Sequence, residues 1–465
     1  MTGQASSLDR LAAGYRQFRD SGDMVLSGGR VVAISPNHFR VKGLAASSRL
    51  GDVVHHDRGP VGRRGEVIRI DGTDITVAPF RDARHLTVGA VVVNRGPLSA
   101  SPGDGWLGRV VDALGEPVDG KGPLLGGEAA AHAETSQPTA MQRGRVDQPF
   151  RTGVRVIDIF TPLCYGQRFG LFAGSGVGKS TLLAMLARAD AFDVIVVALV
   201  GERGREVREF IEETFGPGDM AKAIVVLATS DESAMMRRRA PECALQIAEH
   251  FRDRGKRVLL LLDSVTRYAH ALREVAISIG EPPVARGYPA SVFTELPRML
   301  ERAGPGAEGG GSITAIITVL VDGDDHNDPV ADAVRGILDG HLVMDRQIAD
   351  QGRYPAVNPL ASISRLANRV WREEEKALVL QLRSMIHRFE ETRDLRLLGA
   401  WQPGADAALD KAVETVPAIY DALCQEPSDP VSSDPFADLI TFLKGGAVVP
   451  DAAKPVDVDA GGDDG

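Results

Sequence analysis

Hydrophobic and polar positions divide the chain into stretches of different period. Residues 8–18 place Leu8, Leu11, Ala12, Tyr15 and Phe18 at helical spacing, with Arg10, Arg16 and Arg19 among and beside them. That pattern predicts a helix that docks on its own protein, or a short basic amphipathic helix for a partner or an anionic membrane surface. From about 24 to 95 the period shortens to two. Val31–Ile34, Phe39–Leu44, Glu66–Ile70, Ile75–Val77 and Ala90–Val93 are separated by Gly, Pro, Asn and Asp, and Asp71-Gly72-Thr73-Asp74 is a hairpin signal. Closely spaced strands on this scale predict a small barrel.

Between about 100 and 365 the runs Val194–Val200, Ala223–Ala228, Val258–Leu262 and Ile313–Val321 are apolar on both faces, as buried strands are. Helical segments such as Lys179–Ala189 and Arg239–Arg254 lie between them, which is the alternation of an open, mostly parallel α/β sheet. After Arg365 the strand signal stops. Residues 366–396 and 406–424 carry helix formers, and Gly399, Pro403 and Gly404 break them. A short apolar segment, Phe436–Leu443, follows Pro427, and beyond Gly445 disorder is expected.

Composition narrows the class. Apolar residues are 43% and charged residues 25% of 465, the balance of a chain with a proper core. No apolar run approaches the roughly 20 residues that cross a bilayer, and the N-terminus shows no secretory signal. Cys164, Cys243 and Cys424 have no metal-binding spacing and are expected as reduced thiols. The net charge is −10, of which the last fifteen residues supply −4, and there are 15 Phe, 6 Tyr and 3 Trp. That balance argues against nucleic acid as a partner, since strand binding wants a basic groove with stacking platforms.

The chemistry begins at Ala173-Gly174-Ser175-Gly176-Val177-Gly178-Lys179-Ser180, after the apolar stretch Phe169–Phe172 and before a helix expected to open at Thr181. It is a phosphate-binding loop with Ala173 in place of the first Gly. Its backbone N–H groups would curl around phosphate oxygens at the positive end of a helix, with Lys179 on the β- and γ-phosphates and the Ser180 hydroxyl on Mg²⁺. Asp263 ends the run Val258–Leu262, where a strand-end carboxylate holds the Mg²⁺ shell. Glu202 follows Val194–Val200 and could polarise an attacking water, or simply lead into a helix. No Asn-Lys-x-Asp guanine-reading motif is present. Arg237–Arg239 read as a solvated or subunit-facing surface before a helix rather than a phosphate patch. Asp324-Asp325-His326-Asn327-Asp328 lacks metal-ligand spacing, and His55-His56 is assigned nothing.

Gly201-Glu-Arg-Gly-Arg-Glu-Val-Arg-Glu-Phe210, Leu262-Asp-Ser-Val-Thr-Arg267 and Tyr354-Pro-Ala-Val357 with Ser362-Ile-Ser-Arg365 resemble the catalytic subunits of rotary ATP synthases. They are more similar to type III protein-export ATPases, over roughly residues 100–425. Gly108–Asp112, Pro117–Pro123, Gly280–Pro283, Gly287–Pro289, Ser312–Ala315, Gly323–Asp325 and Asp339–His341 belong to the same collinear set. The loop wording and Thr229-Ser-Asp-Glu-Ser233 resemble the flagellar branch more than the injectisome branch.

The resemblance implies an α/β, RecA-like P-loop NTPase core with an N-terminal small β-barrel and a C-terminal helical domain. Its implied boundaries are a docking helix at 1–23, a barrel at 24–97, an ATPase domain at 98–365, helices at 366–445 and an acidic tail at 446–465. It implies ATP and Mg²⁺ as ligands. Gly174 to Thr181 would cradle the phosphates and Tyr354 would pack on adenine. Glu202 would activate water, Arg203 would sit near the γ-phosphate, and Arg365 would be an arginine finger offered to a neighbouring subunit. The implied setting is a cytoplasmic homohexamer at the inner membrane of the flagellar base. It would meet a regulatory export protein at the N-terminal helix, chaperone–substrate complexes at the C-terminal domain, and the membrane-embedded export gate. A rotary synthase subunit completed by a companion, a hexameric RNA translocase, and a ring subunit that binds ATP only structurally are the rivals.

Overall fold

A computed structural model describes residues 27–56, 63–84, 86–124, 138–216, 219–321 and 328–445. The N-terminal helix and the acidic tail expected at 446–465 lie outside these residues, as does most of the Asp324–Asp328 segment. The described residues divide into two compact units, one formed by those up to 100 with 231–239 and 270–292, the other by the remainder.

The first unit contains a closed barrel of six strands: β1 (Gly28–Ile34), β2 (Phe39–Lys42), β3 (Asp52–His56), β4 (Arg63–Asp71), β5 (Asp74–Pro79) and β6 (Val91–Pro97), in the order β1-β2-β5-β4-β3-β6. Alternation places Val31, Phe39, Val41, Val67, Ile75, Val77 and Val92 inside, and closure leaves no sheet edge. The β4–β5 hairpin pairs Asp71 with Asp74 around Gly72-Thr73, where the sequence signals a turn. The expectation omitted β3, because Val53 and Val54 are both buried and the period-two signal fails there.

Arg237–Arg239 correct the sequence reading. They lie inside the helix Ala234–Arg252, not before one. Arg237 pairs with Glu274 at 2.8 Å, Arg238 with Glu66 at 2.9 Å, and Arg239 donates to the Leu98 carbonyl at 2.8 Å. These guanidiniums tie the first unit together and are not a solvated patch.

The second unit is built on a mostly parallel sheet. Its strand order is Ile363–Ser364, Gly340–Val343, Arg168–Ala173, Ser312–Leu320, Arg257–Asp263, Val194–Val200, Ala223–Ala228 and Arg109–Asp112. Every residue of Val194–Val200 is buried, as β-branched runs between two covered faces should be. The helix Gly204–Thr214 buries Val207, Phe210 and Thr214 on one face, while Arg205–Glu209 and Arg208–Glu212 pair on the other. C-terminal helices Glu373–Glu391, Ala407–Leu423 and Pro435–Leu443 add Val379, Leu382, Ile386, Val416, Ile419 and Phe436 to the same core. The three cysteines are free thiols. Among the described residues no helix is long and apolar enough to cross a membrane.

Candidate functional site

Parallel pairing brings the C-terminal ends of Arg168–Ala173, Arg257–Asp263 and Val194–Val200 to one edge of the sheet, where ligands of open α/β folds bind. Leaving the first of these strands, the chain turns through Gly176 and Gly178, both at positive φ, into the helix Lys179–Ala187. The helix therefore begins two residues before the expected Thr181, so Ser180 and Thr181 stand in its first turn, both exposed. Gly178 combines φ +84° with the ring of Tyr354, which a Cβ would meet at 3.3 Å. Tyr354 thus lies against the phosphate loop while remaining 44% exposed.

Lys179 Nζ reaches both oxygens of Asp263 at 2.5 Å and lies 3.8 Å from Glu202 Oε1. Asp263 and Glu202 are 4% and 8% exposed, so two carboxylates and one ammonium share a nearly dry pocket. Two further residues hold the carboxylates, and sequence reasoning gave neither a role. Arg267 Nη1 lies 2.9 Å from Glu202 Oε2 and also donates to the Gly201 carbonyl. Thr318, fully buried on the intervening strand, donates to Asp263 Oδ1 at 2.7 Å.

Gly201 makes the Arg267 contact possible: its φ is +70°, and a Cβ there would meet the Arg267 stem at 2.9 Å. Arg267 stands in the helix that follows Asp263 and closes the Leu262–Arg267 motif, which is the signal the sequence offered. Burial, then the Asp263 charge, raises the Glu202 carboxyl above its ordinary value, against the pull of Lys179 and Arg267.

The other expected residues are placed differently. Arg203 is 77% exposed and 3.8 Å from Glu206, outside the Lys179–Asp263–Glu202 cluster. Arg365 follows the edge strand Ile363–Ser364, is exposed, and has no side-chain hydrogen bond or ion pair among the described residues. It does not meet the cluster of its own chain. A further loop contact was not foreseen: Arg346 donates to the Ser175 carbonyl at 3.0 Å. Asp345 caps its helix, accepting from the Gln347 N–H, and is itself held by Asn358.

The described residues hold no group of three His, Cys, Asp or Glu arranged for a metal. A hydroxyl (Ser180), one strand-end carboxylate (Asp263), phosphate oxygens and water together suit Mg²⁺, a hard cation that keeps several waters rather than taking an all-protein cage.

Residues 153–364 match the ATP synthase alpha/beta family, nucleotide-binding domain, and residues 371–440 match the T3SS EscN ATPase C-terminal domain. The flagellum-specific ATP synthase of Rhizobium meliloti is 57% identical over 96% of this chain and 96% of its own. The assembled ATPase EscN of the enteropathogenic E. coli type III secretion system superposes with a TM-score of 0.81 at 38% identity, covering 90% of this chain and 99% of that one. EscN in complex with its central stalk EscO gives 0.80 at 38% identity, covering 89% and 100%. With the nucleotide-binding core and the C-terminal helices both matched, the chain belongs to the flagellar and type III secretion ATPases of the ATP synthase alpha/beta family.

Proposed function

We propose that the chain hydrolyses Mg-ATP within a homohexameric ring and that this energises flagellar type III export, releasing and unfolding substrates held by chaperones. The observation that carries the chemistry is the convergence of Lys179, Asp263 and Glu202 in one buried pocket at the phosphate loop. Gly174 to Thr181 cradle the phosphates, Lys179 leaves Asp263 for the β- and γ-oxygens, and Tyr354 offers its exposed ring to adenine. Ser180 and Asp263 would hold Mg²⁺, which when bound neutralises charge on the phosphates. Glu202 accepts the proton of the attacking water, and Arg267 keeps that carboxylate in place. The exposure of Arg203 and its Glu206 neighbour favour a supporting electrostatic role over contact with the γ-phosphate.

The isolation of Arg365 from its own site supports a finger that serves a neighbouring chain, and the assembled state of EscN supports a ring. Further partners follow the same family logic. They are a regulatory stalk-like protein and a docking partner for residues 1–23, chaperone–substrate complexes at the C-terminal helices, and the export gate that would keep the ring at the inner membrane.

Specific ATPase activity of the purified chain should climb with concentration as sites are completed between copies. Equal activity in dilute solution would overturn the shared-site ring. Binding without hydrolysis at any concentration would favour a synthase-type subunit that lacks its companion.

A second expected result concerns pH. Water activation needs ionised Glu202, whose carboxyl is raised, so the rate should fall on acidification at a pH above that of an ordinary glutamate. Arg267→Gln removes one of the two cations that favour the ionised form. The acid limb of kcat against pH should then move upward. An unmoved limb would show that another group governs it.

A further inference from the structure

Arg365 hangs from a slight support. The strand before it, Ile363–Ser364, pairs with the sheet at only two positions, His341 with Ile363 and Gly340 with Ser364. Around that strand the structure adds several ties. Gln167 donates to Ser364 Oγ at 3.2 Å, Ser364 Oγ donates to the Pro162 carbonyl at 2.9 Å, and the Arg365 N–H donates to the Asp339 carbonyl at 3.0 Å. These come from the core of the second unit. One tie has a different origin. Arg383, on the C-terminal helix Glu373–Glu391, sends Nη2 to the Ser362 carbonyl at 3.0 Å and to the Phe160 carbonyl at 3.1 Å.

Arg383 is an unusual rivet. Among the described residues it has no carboxylate partner, and its Nε is buried with no acceptor. Burial pushes its guanidinium below its ordinary value. A half-buried cation without a counter-charge carries a desolvation cost, and a methionine of similar length would fill much of the same space without it. What only the guanidinium supplies is a bridge from one helix to two carbonyls, one of them three residues before the finger. The helix is rigidly seated, since Leu382 and Ile386 beside Arg383 are buried in the core.

We infer that Arg383 is a positioning residue for Arg365, holding the finger at the reach that the neighbouring subunit's nucleotide requires. This rests on the reading that Arg365 acts in trans. It gives the C-terminal helices a mechanical line to the neighbouring subunit's site: a partner that shifts Glu373–Glu391 alters hydrolysis next door.

The test uses rings of the full chain. Arg383→Met should lower kcat about 10- to 100-fold through misplacement of the finger, with KM, ATP affinity and ring assembly unchanged. Arg383→Lys, which keeps a cationic donor, should recover part of the loss. The decisive readout is complementation with Lys179→Ala, whose own loop is disabled but whose finger and Arg383 are intact. In rings mixed one to one, about a quarter of the head-to-tail interfaces join an intact loop to an intact finger, and activity should rise well above both parents.

Failure of Arg365→Ala to complement Lys179→Ala would overturn the trans finger, and the inference with it. Complementation by Arg365→Ala but not by Arg383→Met would overturn the inference alone, placing Arg383 in the stability of its own site. Should Arg383→Met not fold, Arg383→Lys carries the same mixing test.

Discussion

Replacing Glu202 with glutamine is expected to lower kcat by about 10²- to 10⁴-fold, the usual contribution of a positioned general base, with ATP still bound. Glutamine has the same shape and fills the same buried pocket, but its amide cannot take a proton from water. Charge arithmetic gives the direction for binding. The pocket holds Asp263 and Glu202 against Lys179 and Arg267, two negative groups against two positive. Removing one carboxylate leaves an excess positive charge beside the phosphate loop, so ATP should bind as tightly as before or more tightly. Steady-state hydrolysis together with equilibrium titration of a fluorescent ATP analogue separates the two effects. A variant that keeps kcat within tenfold of wild type would remove Glu202 from the proton transfer. One that loses affinity as well would indicate a collapsed pocket, and the base assignment would then need Arg267 intact in the crystal of that variant.

Much of this site was legible in the chain because its parts are local. The phosphate loop is a contiguous run between an apolar strand and a helix, Asp263 ends a buried strand and Glu202 lies two residues past the end of another. Parallel pairing then has to bring them together. What stayed hidden depends on contacts between distant segments. Arg267 matters because Gly201, sixty-six residues earlier, sits at positive φ and leaves room for its stem. Thr318 matters because its strand lies between the loop strand and the Asp263 strand, an order no local pattern encodes. Arg237–Arg239 misled for the same reason: their partners Glu66, Leu98 and Glu274 are remote in sequence, so a run of charge looked solvated. The barrel strand Asp52–His56 was missed on different grounds, because two adjacent buried valines erase the alternation that marks a strand.

Arg365→Ala is expected to lower hydrolysis by about 10³- to 10⁵-fold, the range over which an arginine finger accelerates phosphoryl transfer. Stability should barely change. The side chain is exposed and makes no ion pair or hydrogen bond among the described residues, so its removal falls within the roughly 0.5 kcal/mol typical of surface substitutions. ATP affinity should also hold, because Lys179, the glycine loop and Tyr354 belong to the chain that binds the nucleotide. Arg365→Lys should recover little, since a point-charge ammonium does not reproduce the planar fork that spans two oxygens. The measurement is specific activity against chain concentration, with sedimentation to follow assembly. Wild type should rise as rings form, while Arg365→Ala should assemble to the same extent and stay flat. That combination assigns the loss to chemistry in a formed ring. A variant that assembles and retains activity within tenfold of wild type would mean that Arg365 is not the group stabilising the transferring phosphoryl, and another cation at the subunit boundary would have to be sought.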